Sequence, residues 1–177
     1  MADAPADGPL LDPQALATSG AQRRAALQKG ATAEPELPFI RFELGGERYA
    51  VPLLAVSKIE RVPTVVPVPR TPAFVRGIAS LRGETVCVVD LASILGTVSS
   101  AAKPLGLLVL AEGARKVGVL SDILPDYFRA KATAFSPPPT GRASEGVIVH
   151  ALDRDEGAVA VLDVRKLLDL LARRLDV

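Results

Sequence analysis

Few side chains in this sequence have the types and spacing that catalysis requires. Ser100 and Lys103 have the spacing of the nucleophile and base of serine acyl-enzymes, but they fall in a polar loop without the companion motifs. The acidic run 153–157 resembles the start of a calcium loop, yet its twelfth position, where a bidentate Glu is needed, is Val164. We interpret the first as a chance match and the second as a charged hairpin turn.

The other reactive groups are isolated residues. Cys87, the only cysteine, lies in an apolar run, which favours an inert core thiol over a nucleophile. His150, the only histidine, lies in a predicted strand without a Ser or Cys partner suggested by the sequence. An enzyme with converging carboxylates stays open as a hypothesis. The candidate acids are Asp90, Asp122, Asp126 and Asp163.

Charge and composition weigh against nucleic-acid and membrane partners. Of 177 residues, 21 are Lys or Arg and 20 are Asp or Glu, so a net charge of +1 gives little attraction for phosphates. Aromatic residues are only 4%, which leaves few rings to stack on bases. The longest apolar run, 105–111, is far short of the roughly 20 residues that span a bilayer. We expect a cytoplasmic protein with no nucleic acid and no direct membrane insertion, although a nucleic-acid-binding pair of small barrels stays open.

Alternating apolar residues predict a series of β-hairpins. The first runs from Phe39 to Leu53 and turns at Gly45-Gly46, because glycine supplies the positive backbone angles of a tight turn. A second turns at Arg82-Gly83 between strands 77–81 and 84–89. The segment 54–61 is ambiguous between a strand and a helical turn. Further strands are predicted at 105–111, 116–120, 123–128, 147–152 and 158–162.

Three helical segments are predicted among these strands. Short helices are expected at 71–74 and at 91–95, the second capped by Asp90. A longer helix is expected from about Val164 to Leu175, with leucines on one face and basic residues near the other. A membrane-surface helix has a similar pattern. Because Asp169 dilutes the basic face, we favour packing against a barrel end.

Two stretches of the sequence have the same form. Residues 86–95 and 159–168 each contain an apolar strand, an Asp able to cap, and the start of a helix. Each follows an apolar strand led by glycine, at Gly77 and at Gly146. Neither half is long enough to bury much apolar surface alone. We therefore expect two small related barrels that pack face to face.

The first 37 residues differ from the rest in being rich in Ala, Pro and Gly. Asp12-Pro13 and Gly30 have the types that begin and end a helix, but only two bulky residues, both Leu, lie between them. We predict a flexible N-terminal extension over 1–37, followed by a folded domain over 38–177. A helix that holds a partner or caps the domain is the alternative.

From Pro38 to about Leu175 the sequence resembles the CheW family, the adaptors that couple chemoreceptors to a histidine kinase. The most specific part is 69–91, where the family has a proline-containing approach, a glycine, apolar residues, Leu-Arg-Gly, a strand and Val-Asp-Leu. Here these positions are Pro72, Gly77, Leu81-Arg82-Gly83 and Val89-Asp90-Leu91. The hairpin containing 49–52 matches as well, and the C-terminal half matches more weakly.

The resemblance implies a mainly β fold: two intertwined, five-stranded SH3-like barrels with short helices and a C-terminal helix. It implies neither enzymatic activity nor a cofactor. One barrel is expected to dock on the regulatory domain of a CheA-type histidine kinase. A groove between the barrels is expected to take the cytoplasmic tip of a methyl-accepting chemoreceptor, at membrane-associated receptor arrays. The implied partner-binding residues are Val56, Lys58, Ile59, Gly77, Arg82 and Gly83.

Arg82 also has a physical argument of its own. An Arg-Gly turn between apolar strands projects a guanidinium from a rigid hairpin, and arginine is enriched in interface hot spots. A solvated turn arginine is the alternative.

Two positions depart from the family pattern, which often has Glu where this chain has Lys58 and Asn where it has Ser80. A reversed charge near a contact surface can change the partner. The alternative function is therefore an adaptor of a non-flagellar chemosensory-type pathway, such as pilus motility, or a competitor for kinase or receptor binding.

Overall fold

Twelve β-strands and two α-helices lie in the residues that the computed structural model describes: 34–98, 103–138, 146–154 and 157–175. The strands are β1 (Glu36–Leu44), β2 (Glu47–Pro52), β3 (Val56–Arg61), β4 (Val65–Val66), β5 (Val75–Leu81), β6 (Glu84–Val89), β7 (Gly106–Glu112), β8 (Arg115–Ser121), β9 (Asp126–Lys131), β10 (Phe135–Ser136), β11 (Ile148–Arg154) and β12 (Gly157–Leu162). The helices are α1 (Leu91–Leu95) and α2 (Val164–Leu175), and 3₁₀ turns lie at Leu53–Ala55 and Ala132–Ala134.

Contacts group Glu36–Val177 into one compact unit. The unit that precedes it, Met1–Pro35, lies outside the described residues apart from its last two. The helix predicted between Asp12 and Gly30 therefore falls outside the described part of the chain.

The strands form two six-stranded sheets, each with five longer strands and one two-residue strand among the described residues. Sheet A has the order β10-β11-β12-β2-β1-β9, and sheet B has the order β3-β7-β8-β6-β5-β4. Neighbouring strands are antiparallel except for two parallel pairs, β12 with β2 and β6 with β8. The predicted fold class, mainly β with two packed SH3-like barrels, is confirmed.

The chain consists of two repeats that exchange their first hairpins. The first repeat runs β1 to β6 and ends with α1, and the second runs β7 to β12 and ends with α2 in the same order. Sheet A joins the β1–β2 hairpin to β9–β12, whereas sheet B joins the β7–β8 hairpin to β3–β6. The two parallel pairs connect each exchanged hairpin to the other repeat. Neither repeat therefore contains a complete sheet of its own.

The described residues form three apolar clusters in this architecture. Strand β7 contributes to two of these clusters, because successive side chains of a strand point to opposite faces. Leu107 and Val109 pack in the core of sheet B, while Leu108 and Leu110 pack in a larger central cluster with residues of sheet A and α2. Phe39 belongs to the third cluster, the core of sheet A. Because most of β7 is buried on both faces, that part of its sequence is an unbroken run of apolar residues.

Both predicted helix caps are present. The Asp90 carboxylate accepts from the Ser93 amide at 3.3 Å, and the Asp163 carboxylate accepts from the Lys166 amide at 3.0 Å. Each side chain satisfies a donor that a helix N-terminus otherwise leaves without a partner. The repeated strand-Asp-helix pattern of the sequence is thus a repeated structural unit.

Several local predictions needed correction. The helix expected at 71–74 is wrong: the chain makes a turn there, in which the Val75 amide donates to the Pro72 carbonyl at 2.9 Å, and then enters β5. The ambiguous segment 54–61 is the end of a 3₁₀ turn followed by β3. The strand expected at 123–128 begins later, at Asp126, just after Pro125, which has no amide to donate.

Candidate interaction surface

Ion pairs connect β3 to the β5–β6 turn, although no strand pairing joins these elements directly. The Lys58 ammonium donates to Glu84 at 2.7 Å and to the Leu81 carbonyl at 3.4 Å. From β8, the Lys116 ammonium donates to the other Glu84 oxygen at 2.5 Å. We call this region the barrel seam; it comprises Lys58, Glu60, Arg82, Gly83, Glu84 and Lys116.

The two lysines change the acidity of Glu84. The hydrogen bonds from the two lysines lower the pKa of the Glu84 carboxyl from 4.5 to about 2, and the bond from Lys116 has the larger effect. Both donors are cations, and hydrogen bonds and nearby positive charge favour the ionised carboxylate. Glu84 therefore stays ionised throughout the physiological pH range.

Arg82 adopts a left-handed backbone conformation, which is unfavourable for a residue other than glycine. The Arg82-Gly83 turn has φ of 52° and 86°, the positive pair that a tight two-residue hairpin requires. For a non-glycine residue this left-handed conformation costs about 1 kcal/mol. The Arg82 side chain is 82% exposed, and its Nε lies 3.2 Å from a Glu60 carboxylate oxygen. A strained, exposed arginine is explained better by what its guanidinium contacts than by stability.

The structure brings three of the six predicted partner-binding residues together. Lys58, Arg82 and Gly83 lie in the barrel seam. Ile59 faces the opposite side of β3, where it is 41% exposed. Val56 is partly buried against the central cluster.

Gly77, the sixth predicted residue, is buried in β5. A Cβ at this position would lie 2.2 Å from the Val66 carbonyl oxygen, and φ is +141°. The absence of a side chain lets β4 approach β5, so Gly77 shapes the surface through the backbone.

Sequence reasoning missed three members of the barrel seam. Glu60 and Glu84 flank predicted site residues, but nothing in their spacing showed that they are bound by cations from other strands. Lys116 lies 32 residues from Glu84 along the chain. Its role depends on the parallel pairing of β6 with β8, which no local pattern encodes.

An apolar groove of about 530 Å³ lies beside the first 3₁₀ turn and shares no lining residue with the barrel seam. Leu54 lies at its rim with 96% of its surface exposed. Such an exposed leucine beside an apolar concavity is typical of a docking site. The apolar lining includes Leu37, Phe39, Pro52, Leu54, Phe135 and Val161. Polar residues of the groove include Glu112, His150, Asp163 and Arg165.

The four candidate catalytic acids have structural roles in separate places. Asp90 and Asp163 cap helices, as described above. Asp122 accepts from the Gly45 amide at 2.6 Å and so holds the β1–β2 turn. Asp126 accepts twice from Arg41, at 3.0 and 2.8 Å. Among the described residues, no three His, Cys, Asp or Glu side chains are grouped so that they could hold a metal ion.

The isolated reactive residues also have ordinary surroundings. Cys87 is partly buried in β6, and burial raises the pKa of its thiol, which disfavours the nucleophilic thiolate. His150 lies in β11, where its ring makes a T-shaped contact with the ring of Phe135, 5.8 Å between centroids. Ser100 and residues 155–156 lie outside the described part of the chain. No helix among the described residues is long and apolar enough to cross a membrane.

Comparisons with known proteins agree with this architecture. A family model described as "CheW-like domain" matches residues 38–172. Protein FrzA of Myxococcus xanthus is 33% identical over 149 residues, 81% of this chain and 92% of its own length. Chemotaxis protein CheW of Treponema pallidum is 28% identical over 143 residues, 76% of this chain and 83% of its own.

A solved structure shows the same fold. The scaffolding protein TtCheW from Thermoanaerobacter tengcongensis superposes with a TM-score of 0.65 at 20% identity. The match covers 73% of this chain and 90% of that protein. At this level of identity the likeness concerns the fold alone.

Proposed function

Because this chain belongs to the CheW family of adaptor and scaffold proteins, we propose that it couples chemoreceptors to a CheA-type histidine kinase in a chemosensory array. The proposal assigns it no enzymatic step and no cofactor. It acts in the cytoplasm, where membrane-associated receptors recruit it.

The barrel seam is the proposed surface for the regulatory domain of the kinase. Its single most telling feature is Arg82, a left-handed arginine with a largely exposed guanidinium on a rigid turn. Arginine is enriched in interface hot spots. Ile59 adds exposed apolar area on the opposite face of the same edge strand. Lys58 and Gly83 complete this surface, with Val56 on the same strand as Lys58 and Gly77 on the strand that leads to the Arg82 turn.

The apolar groove is the proposed surface for the cytoplasmic tip of the receptor. Leucine and phenylalanine side chains line it, and Leu54 projects into solvent at its rim. A helical tip with apolar residues on one face could bury that leucine and the groove together. The groove and the barrel seam share no residue, which supports the proposal that one molecule holds both partners at once.

A second candidate is the same adaptor role in a different pathway. The relative with 33% identity is named FrzA, whereas others at 25–31% are named chemotaxis protein CheW. The positive Lys58 in the barrel seam also favours a different partner from that of family members with Glu there. In this case the output is a non-flagellar response, or the chain competes for kinase or receptor binding.

A pull-down from the source organism tests the adaptor role. The full chain is the bait beside Arg82→Glu, and Arg70→Glu is the matched control, since Arg70 is the other described non-glycine residue with positive φ, at 62°. Mass spectrometry identifies the captured proteins. We expect a CheA-type kinase and a chemoreceptor with the wild type and the control, and loss of the kinase with Arg82→Glu. Recovery of neither protein by the wild type would contradict the proposal.

A further inference from the structure

The carboxylate of Glu84 is shared by two lysines that come from different parts of the chain. Lys58 reaches it from β3 and Lys116 from β8, one to each oxygen. These residues lie on the sides of their strands that face the core of sheet B, so they cap the end of that core. The arrangement holds two ammonium groups at the edge of the proposed kinase surface.

The charges that face the barrel seam do not balance. Lys58, Lys116 and Arg82 lie against only two carboxylates, Glu60 and Glu84. This surface therefore carries one positive charge more than its internal pairs neutralise. Arg61 lies with Ile59 on the opposite face of β3 and does not contribute to this excess.

The two lysine ammonium groups have donors available for a further hydrogen-bond partner. An ammonium has three donors, and one of those on Lys116 is used by Glu84. The side chains of Lys58 and Lys116 are about one-quarter to one-third exposed, at 27% and 35%. Internal pairing therefore fixes their positions while leaving donors available at the surface.

We propose that Lys58, Glu84 and Lys116 set the charge preference of this surface, which fits a kinase regulatory domain that presents carboxylates opposite the barrel seam. Glu84 acts as a positioning residue, because it holds both lysines without reaching the partner. Lys116 is a specificity-determining residue outside the six residues assigned above. The inference rests on the proposed kinase-binding role of the barrel seam.

The physical reason is electrostatic complementarity. Opposite potentials across an interface raise the association rate and suppress wrong partners, since like charges brought together cost several kcal/mol. A partner with basic residues at these positions would meet three cations and be rejected. Negative phosphates could also meet the cations, but the few aromatic residues and the small net charge favour a protein partner.

Inverting the triad tests the inference. The variant Lys58→Glu/Glu84→Lys/Lys116→Glu keeps two internal pairs with reversed sign and lowers the net charge by two. Lys166→Glu is the matched control, because it makes the same charge change on the exposed side of α2, next to the Asp163 cap. Thermal unfolding checks that both variants are folded.

The probes are the regulatory domains of the CheA-type kinases of the source organism and a short DNA duplex. Affinity is measured by titration calorimetry at ionic strengths of about 0.01 M and about 0.15 M. We expect the wild type to bind one kinase domain, more tightly at low salt. The inverted triad should bind that domain about tenfold more weakly or worse, and the control should stay within about twofold.

The possible outcomes separate the two proposals. Equal kinase binding by the inverted triad and the wild type would overturn the charge preference but leave the adaptor role intact. If the wild type binds none of the kinase domains, the kinase-binding role fails and the inference fails with it. Wild-type binding to the DNA duplex alone, lost in the inverted triad, would replace both proposals with a nucleic-acid surface.

Discussion

At the scale of single residues, Arg82 carries backbone strain in the barrel seam, and Glu84 holds two of its lysines in place. Arg82 occupies a left-handed position that Asn or Gly would fill with less strain. Glu84 fixes the lysines on either side of it. The Arg-Gly turn and the family resemblance predict a role for Arg82. The role of Glu84 depends on contacts among three strands that are distant in the sequence, and no local pattern predicts them.

Replacing Arg82 should raise stability while weakening binding. Arg82→Asn relieves the left-handed strain, and the exposed Arg82–Glu60 pair that it removes contributes little. We expect the free energy of unfolding to rise by about 0.5–1 kcal/mol in urea denaturation. Arg70→Asn should give a similar gain with unchanged kinase binding. Equal loss of binding in both variants would show that the effect is not specific to the barrel seam.

Glu84 should govern part of the acid sensitivity of the fold. Because its pKa is lowered to about 2 in the folded chain, it contributes stability that is present above pH 4.5 and is lost as the pH falls toward 2. Glu84→Gln removes this contribution. We expect the midpoint of thermal unfolding to fall less steeply between pH 4.5 and pH 2 in the variant than in the wild type. Parallel pH profiles would refute this role for Glu84.

At the scale of elements, local patterns were the reliable guide. The Gly45-Gly46 and Arg82-Gly83 hairpins and the two Asp-capped helices follow from turn and cap chemistry that acts over a few residues. The expected helix at 71–74 failed because cap-and-proline chemistry also suits a turn that enters a strand. The two-residue strands β4 and β10 have too little length for any periodic signal.

Gly77 should be intolerant of any side chain. In Gly77→Ala the new Cβ would meet the Val66 carbonyl oxygen, a backbone atom that cannot move without shifting β4. We expect a loss of about 2–4 kcal/mol in the free energy of unfolding. Gly113→Ala is the control, because its φ is also positive, at +60°, but its Cβ would meet nothing within 4 Å. A loss no larger than in the control would mean that β4 can give way.

At the scale of the whole molecule, the exchange of hairpins makes the two barrels one cooperative structure. The repeated strand-Asp-helix pattern predicted two related halves, but which strands cross between them depends on two parallel pairings of long sequence separation. Such pairings leave no local signal. The same exchange places two surfaces, the barrel seam and the apolar groove, on one rigid scaffold of interlocked strands.

A chain cut between residues 98 and 103 should test this exchange. Each fragment carries one repeat and lacks the hairpin that completes its sheet, so neither should fold alone. We expect weak β-sheet circular dichroism from each fragment and recovery of the native spectrum on mixing. A fragment with a cooperative thermal transition of its own would show that one repeat is self-sufficient.

The most direct test of the adaptor account measures whether its two surfaces act independently. The kinase regulatory domain and the receptor tip are mixed with wild type, Arg82→Glu or Leu54→Glu, and the complexes are resolved by analytical ultracentrifugation. The account predicts a ternary complex with the wild type, loss of only the kinase with Arg82→Glu, and loss of only the receptor with Leu54→Glu. Competition between the two partners for the wild type, or loss of both partners in either variant, would contradict it.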